Sequence, residues 1–115
     1  MIIQPHDGLS RILLVGTPAL HRDMRWIQLA RHGFTFVPVA KRHCTLDTGS
    51  TADIQAIVYQ VGARTTDTLA FLETVASQQS DLCIILVGHN QKPDTVAQFL
   101  RKGAFDYVNW PCSLS

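Results

Sequence analysis

Hydrophobic and polar positions in this chain fall into two kinds of run that alternate along its length. Arg11-Ile12-Leu13-Leu14-Val15-Gly16 and Leu82-Cys83-Ile84-Ile85-Leu86-Val87 are apolar almost without interruption. That pattern suits strands buried on both faces of a parallel sheet, because half-solvated strands alternate. Three further strands are expected at Phe34 to Val39, Ile54 to Gln60 and Phe105 to Asn109. Pro38 cannot donate a ladder hydrogen bond, so the second strand belongs at a sheet edge. Between these runs the period lengthens. Pro18 suits a helix first turn, Leu20, Met24 and Ile27 recur at helical spacing through His32, and Gly33 stops the run. Asp67 is expected to cap a helix whose Leu69, Leu72, Val75 and Ala76 share a face. Pro93 and Asp94 open another, with Val96, Phe99 and Leu100 inward and Gly103 as the stop. Residues 41–52 are rich in Thr, Ser and Gly and predict only a short or irregular helix.

Strand and helix in alternation predict an α/β domain with a five-stranded parallel sheet. An edge second strand with central first and fourth strands fits the flavodoxin-like order 2-1-3-4-5, with helices on both faces. Residues 1–10 read as a loose N-terminal lead-in, leaving residues 11–115 as the domain. A fifth helix would normally join the first on its face of the sheet, yet after Pro111 only Cys112-Ser113-Leu114-Ser115 remain. The last helix is therefore expected to be missing or truncated, the chain being a fragment or another chain covering that face.

Composition narrows the function. The 115 residues suffice for a single core, and a formal net charge of +1 argues against a whole-domain affinity for nucleic acid or acidic membranes. No apolar run approaches the roughly 20 residues that span a bilayer, and Met1 to Pro5 lack the flank and length of a signal peptide, so a cytoplasmic location is expected. Cys44, Cys83 and Cys112 are odd in number and widely spaced, which predicts reduced thiols. His89 and the His43-Cys44 pair lack metal-ligand spacing. His21, Arg22, Arg25, Arg31 and His32 make the outer face of the first helix basic, either for an acidic partner or simply as a solvated face. Val15-Gly16-Thr17-Pro18 is no dinucleotide fingerprint, since Pro18 and His21 stand where glycines are needed. Nor does Thr17 alone make a phosphate loop. No enzyme, metal or cofactor is expected.

The stretch Lys102-Gly103-Ala104-Phe105-Asp106-Tyr107-Val108-Asn109-Trp110-Pro111 reads as a helix end, a glycine stop, a short strand and a proline. In its order, Gly-Ala-Phe-Asp-Tyr and then Pro, the chain resembles the receiver domains of two-component response regulators, most closely those preceding NtrC-type enhancer-binding activators. The resemblance implies a CheY-like fold and a pocket at the strand ends. In such receivers an Asp at the end of the third strand is phosphorylated. It holds magnesium together with an acidic pair after the first strand, and a hydroxyl and a lysine contact the phosphoryl group. The chemistry demands hard oxygen ligands, a carboxylate acceptor and compensating cations.

Carried over position by position, the acidic pair falls on Gly16 and Thr17, the acceptor on Gln60, the hydroxyl on Gly88 and the lysine on Trp110. A one-residue slip of the third strand offers Tyr59 or Val61 instead, and one extra loop residue offers Val87, none of them acid or hydroxyl-bearing in the required sense. The expected site is a degenerate phosphoacceptor pocket. Trp110 either plugs it or recognises a ligand base; Tyr107 matches the aromatic switch position, or packs; Trp110-Pro111 stands where the family has a cis peptide.

The reading is a non-phosphorylatable, regulatory receiver-like domain. It would work through protein contacts as a homodimer, controlling an output portion with ATPase and DNA-binding activity outside this chain, without binding nucleic acid itself. The resemblance names the surface of the fourth helix and fifth strand, with Gln98, Arg101, Lys102 and Asp106 as exposed candidates. An alternative is a sensor of a small molecule or nucleotide second messenger, using the emptied pocket among Thr17, Tyr59, Gln60, His89 and Trp110.

Overall fold

The computed structural model describes residues 10–23, 25, 26, 28, 33–40, 54–78 and 82–110. Five strands, β1 (Ser10–Val15), β2 (Phe34–Val39), β3 (Ile54–Gln60), β4 (Cys83–Gly88) and β5 (Asp106–Asn109), form one sheet in the order β2-β1-β3-β4-β5. Every pairing is parallel. This is the flavodoxin-like arrangement expected from the pattern, with proline-bearing β2 at one edge, where the missing N–H of Pro38 costs no ladder bond.

The pleat divides the apolar runs between two cores. One face carries Leu14, Val58 and Val87 with Leu20 from the first helix, joined by Ile12, Trp26, Ile85 and Trp110. The opposite face carries Val15, Ile57, Tyr59, Ile84 and Leu86. There it packs against α2 (Thr65–Gln78) through Leu72 and Val75 and against α3 (Pro93–Arg101) through Phe99. Neighbouring residues such as Leu14 and Val15 are both buried because helices cover both sides, which is why β1 and β4 show no polar alternation.

Local details depart from the pattern. The first helix does not run unbroken from Pro18: α1 spans Pro18–His21, Arg22 and Asp23 are not helical, and among the described residues that follow helix appears again at residues 25, 26 and 28. Asp23 makes the break, since its Oδ1 accepts the Arg25 backbone N–H at 2.9 Å and so offers the chain an N-cap in place of a continuing helical bond. α2 begins two residues before Asp67, which sits within its first turn, favourable for a carboxylate, rather than at its cap. Thr68 joins its buried face while Ala76 is exposed, and on α3 Leu100 is 43% exposed rather than inward. Phe105 lies outside β5 and is 71% exposed, although its backbone N–H still donates to Ile84 O at 2.7 Å.

Ser10, expected to close the lead-in, opens β1 instead; residues 1–9, the 41–52 segment, Pro111 and the expected stub of a fifth helix fall outside the described residues. Among the described residues no helix is long and apolar enough to cross a membrane.

Candidate functional site

The carboxyl ends of β1, β3, β4 and β5 meet along one rim of the sheet, where this architecture places its ligands. The sheet register brings the ends of β1 and β3 together, Val15 lying opposite Tyr59, so the residues that follow, Gly16 and Gln60, become neighbours. Their approach is close. A Cβ on Gly16 would run into Gln60 Oε1, and would lie 2.7 Å from Leu20 Cδ2 and 2.9 Å from Gln60 Cβ. No side chain fits at position 16 while Gln60 keeps its place.

What holds Gln60 there is the start of α1. The Thr17 backbone N–H donates to Gln60 Oε1 at 2.8 Å, while the Thr17 hydroxyl accepts the Leu20 N–H at 3.4 Å as the helix N-cap. Beside this pair lies a cavity of about 430 Å³, bounded by Gly16, Thr17 and Pro18, by Ala40 after β2, and by Gln60, Val61 and Gly62 at the end of β3. None of these side chains carries a charge.

The other half of the rim is closed. Gly88 ends β4, and its carbonyl accepts the Trp110 N–H at 2.6 Å. The Tyr107 side chain lies directly over it: a Cβ on Gly88 would be 2.8 Å from the Tyr107 hydroxyl oxygen and 3.1 Å from the ring. That hydroxyl donates to Asn109 Oδ1 at 3.4 Å. Burial pushes its pKa up, opposed in part by the Gln91 backbone N–H that it accepts. His89 is exposed, and its ring meets the Asn90 side chain at 3.2 Å.

Trp110 reaches away from the cavity. Its ring packs against the α1-side cluster and its Nε1–H donates to Asp23 Oδ2 at 2.7 Å. Asp23 also accepts from Arg25 three times, at Oδ1 from N and Nε at 2.9 Å each and at Oδ2 from NH2 at 2.6 Å. Those Arg25 bonds, helped by the indole, hold the Asp23 carboxyl well below the usual carboxylate range despite its partial burial. This acid, which no motif marks, is tied directly to the closed half of the rim through Trp110. The signal for it was a lone Asp three residues after the buried Leu20 and two before Arg25.

Tyr59 faces the opposite core, stacked on Phe71 with ring centroids 4.1 Å apart, so Thr17 and Gln60 alone of the five residues considered for a ligand pocket line the cavity. Of the surface candidates, Gln98 and Arg101 are exposed, Lys102 pairs with Glu73 at 2.9 Å, and Asp106 Oδ1 accepts the Tyr107 N–H at 2.8 Å. Among the described residues no three metal-ligating side chains cluster. Burial pushes the half-buried Cys83 thiol up, away from a reactive thiolate.

No protein-family model and no curated protein sequence matches the chain. Solved structures do. A response regulator receiver domain protein from Clostridium thermocellum superposes with a TM-score of 0.73 at 15% identity, covering 91% of this chain and 85% of that one. HP1043, an orphan response regulator of H. pylori, gives 0.70 at 16% identity over 91% and 86%. The beryllofluoride-activated NtrC4 receiver domain dimer gives 0.69 at 20% identity over 90% and 86%.

The fold is that of a response-regulator receiver domain.

On that receiver fold the rim has two unlike halves. Gly16, Thr17 and Gln60 surround an open, neutral cavity, whereas Gly88, Tyr107 and Trp110 form a closed patch tied to the end of α1 through Asp23. The single expected pocket of five residues is thus two sites back to back, with Val61 between them, its Cβ lying 3.2 Å from where a Gly88 Cβ would be.

Proposed function

We propose that this receiver-fold domain is a regulatory module that does not accept phosphate and acts through protein contacts. The observation that carries the reading is the Gly16–Thr17–Gln60 arrangement. Gln60 Oε1 accepts the Thr17 N–H, and its side chain fills the space into which an acid at position 16 would project. Phosphoryl transfer to a receiver needs a carboxylate acceptor and a hard-oxygen cage for magnesium. Neither stands among these residues, and the amide of Gln60 is no nucleophile.

The loss extends to the far side of the rim. Where a hydroxyl and a cation would contact a phosphoryl group, Gly88 is covered by Tyr107, and Trp110 is engaged with Asp23. The likeness to NtrC-type receivers rests on the Gly103-Ala104-Phe105-Asp106-Tyr107 stretch and draws support from the NtrC4 receiver dimer among the similar structures. On this reading the domain is cytoplasmic and non-enzymatic, and dimerises through α3 and β5. Leu100, Phe105 and Val108 expose apolar surface there, beside Gln98 and Arg101. It governs an ATPase or DNA-binding portion outside this chain.

Amide spectra of the isotopically labelled protein with magnesium and beryllofluoride, a mimic of the phosphorylated aspartate, test the reading. The spectra are expected to stay unchanged. A saturable shift centred on Gln60 overturns it.

A further inference from the structure

The cavity beside Gln60 is built to hold something other than a phosphoryl group, an inference that rests on the reading of the rim as lacking acid and metal. Its volume of about 430 Å³ falls within the ~300–1,000 Å³ of small-molecule sites. We propose that it binds a small uncharged molecule that presents hydrogen-bond acceptors, of the class of cyclic amides and carbonyl-bearing heterocycles.

Charge decides the first half of that statement. Among the described residues none that bounds the cavity is ionisable, and an ion taken out of water without a partner is heavily penalised. The start of α1 offers an anion little more. The Thr17 N–H is held by Gln60 Oε1, Pro18 has no N–H, and the Leu20 N–H is held by the Thr17 hydroxyl oxygen. Of the donors that begin the helix, only the Ala19 N–H is left without one of these bonds.

Hydrogen-bond polarity decides the second half. A backbone N–H can only donate, so the Gln60 atom facing Thr17 is the oxygen, and the NH2 end of the same amide remains a donor. The Thr17 oxygen accepts from Leu20, which leaves its proton to give. Two side-chain donors therefore stand at one cavity and call for acceptors, while Pro18, Ala40 and Val61 supply apolar wall for a ring. Because Gln60 lies close over Gly16 and its oxygen is held by the Thr17 N–H, its donor is oriented before any ligand arrives, which lowers the ordering cost of binding.

The test is an amide-resolved titration of the full chain with 2-pyrrolidinone, uracil and nicotinamide, set against nicotinate, which differs from nicotinamide chiefly in its charge. Saturable shifts are expected at Gly16, Thr17 and Gly62 with at least one uncharged probe. Nicotinate is expected to bind at least tenfold more weakly than nicotinamide. Ala40→Leu, which fills the cavity from its wall, is expected to abolish the shifts in a protein whose spectrum otherwise remains folded. Silence of all three uncharged probes overturns the proposal, as does nicotinate binding as well as nicotinamide, or shifts that survive Ala40→Leu. Magnesium and beryllofluoride added to the same sample separate the two levels. A beryllofluoride shift sinks the non-phosphorylatable reading itself; silence there together with silent probes sinks only the ligand.

Discussion

Trp110 donates its indole N–H to the carboxylate of Asp23, 87 positions earlier in the chain, at 2.7 Å. The bond ties the end of β5 to the break after α1, and the ring contributes to the core beneath α1. Trp110→Phe keeps much of the ring's burial and deletes the donor. Hydrogen bonds to charged groups are worth roughly 1.5–3 kcal/mol, and Arg25 still satisfies Asp23, so a loss of about 1.5 kcal/mol in urea unfolding is expected. An unchanged midpoint would mean that the tie contributes nothing.

Acid should reveal the same carboxylate. Its folded pKa is depressed, by Arg25 first and Trp110 after it, so its stabilisation is fully present above the unfolded value of about 3.9. It is lost as pH falls from there through the lower folded value. The stability gap between the native chain and Asp23→Asn is therefore expected to be widest at neutral pH and to narrow below about pH 4. A gap that stays constant down to the acid limit of folding would contradict the assignment.

Gly16 and Gln60 should behave as one unit. Gly16→Ala alone is expected to cost about 1–3 kcal/mol as an overpacked position, because its new methyl meets the Gln60 and Leu20 side chains. In a Gln60→Ala background the same substitution should cost less, with a coupling of at least ~0.5 kcal/mol in a double-mutant cycle. Additive effects would show that the two side chains do not compete for the same space.

A side chain at position 88 should expel Tyr107. Gly88→Ser places a Cβ within 2.8 Å of the present position of the tyrosine hydroxyl, and the ring is only half-buried. Ring resonances of Tyr107 are expected to move toward solvent-exposed values, and its raised pKa to relax toward the ordinary tyrosine value of about 10. A ring that holds its place would show that β4 gives way instead.

For the proposed dimer, Phe105 is the residue to change. It is 71% exposed, the most of the exposed apolar side chains at α3 and β5, and Phe105→Glu puts a charge in its place. Self-association measured by sedimentation is expected to weaken at least tenfold, about 1.4 kcal/mol. A protein that is monomeric before the change at high concentration would remove this interface.

The sheet was legible because central and edge strands leave different marks on the sequence. Unbroken runs announced β1 and β4 as central, and Pro38 announced the edge. Less of the helices could be read, since what broke the first one is a side-chain bond from Asp23 that no apolar spacing records. The rim was half legible. Residue types alone showed that acids and the lysine were absent from the matched positions, but not what replaced them. Whether Gln60 and Gly16 interlock, or whether Trp110 turns toward the cavity or toward Asp23, depends on side-chain direction across elements far apart in sequence.

The interlock of Gly16 with Gln60 also bears on what sequences lie within reach of this one. An acidic residue at position 16 alone is blocked by Gln60, and an aspartate at position 60 alone has a shorter reach toward the Thr17 N–H and no acid across from it. Each of these single substitutions disturbs a contact that the pair now makes. The pair therefore ties what position 16 can hold to what stands at position 60.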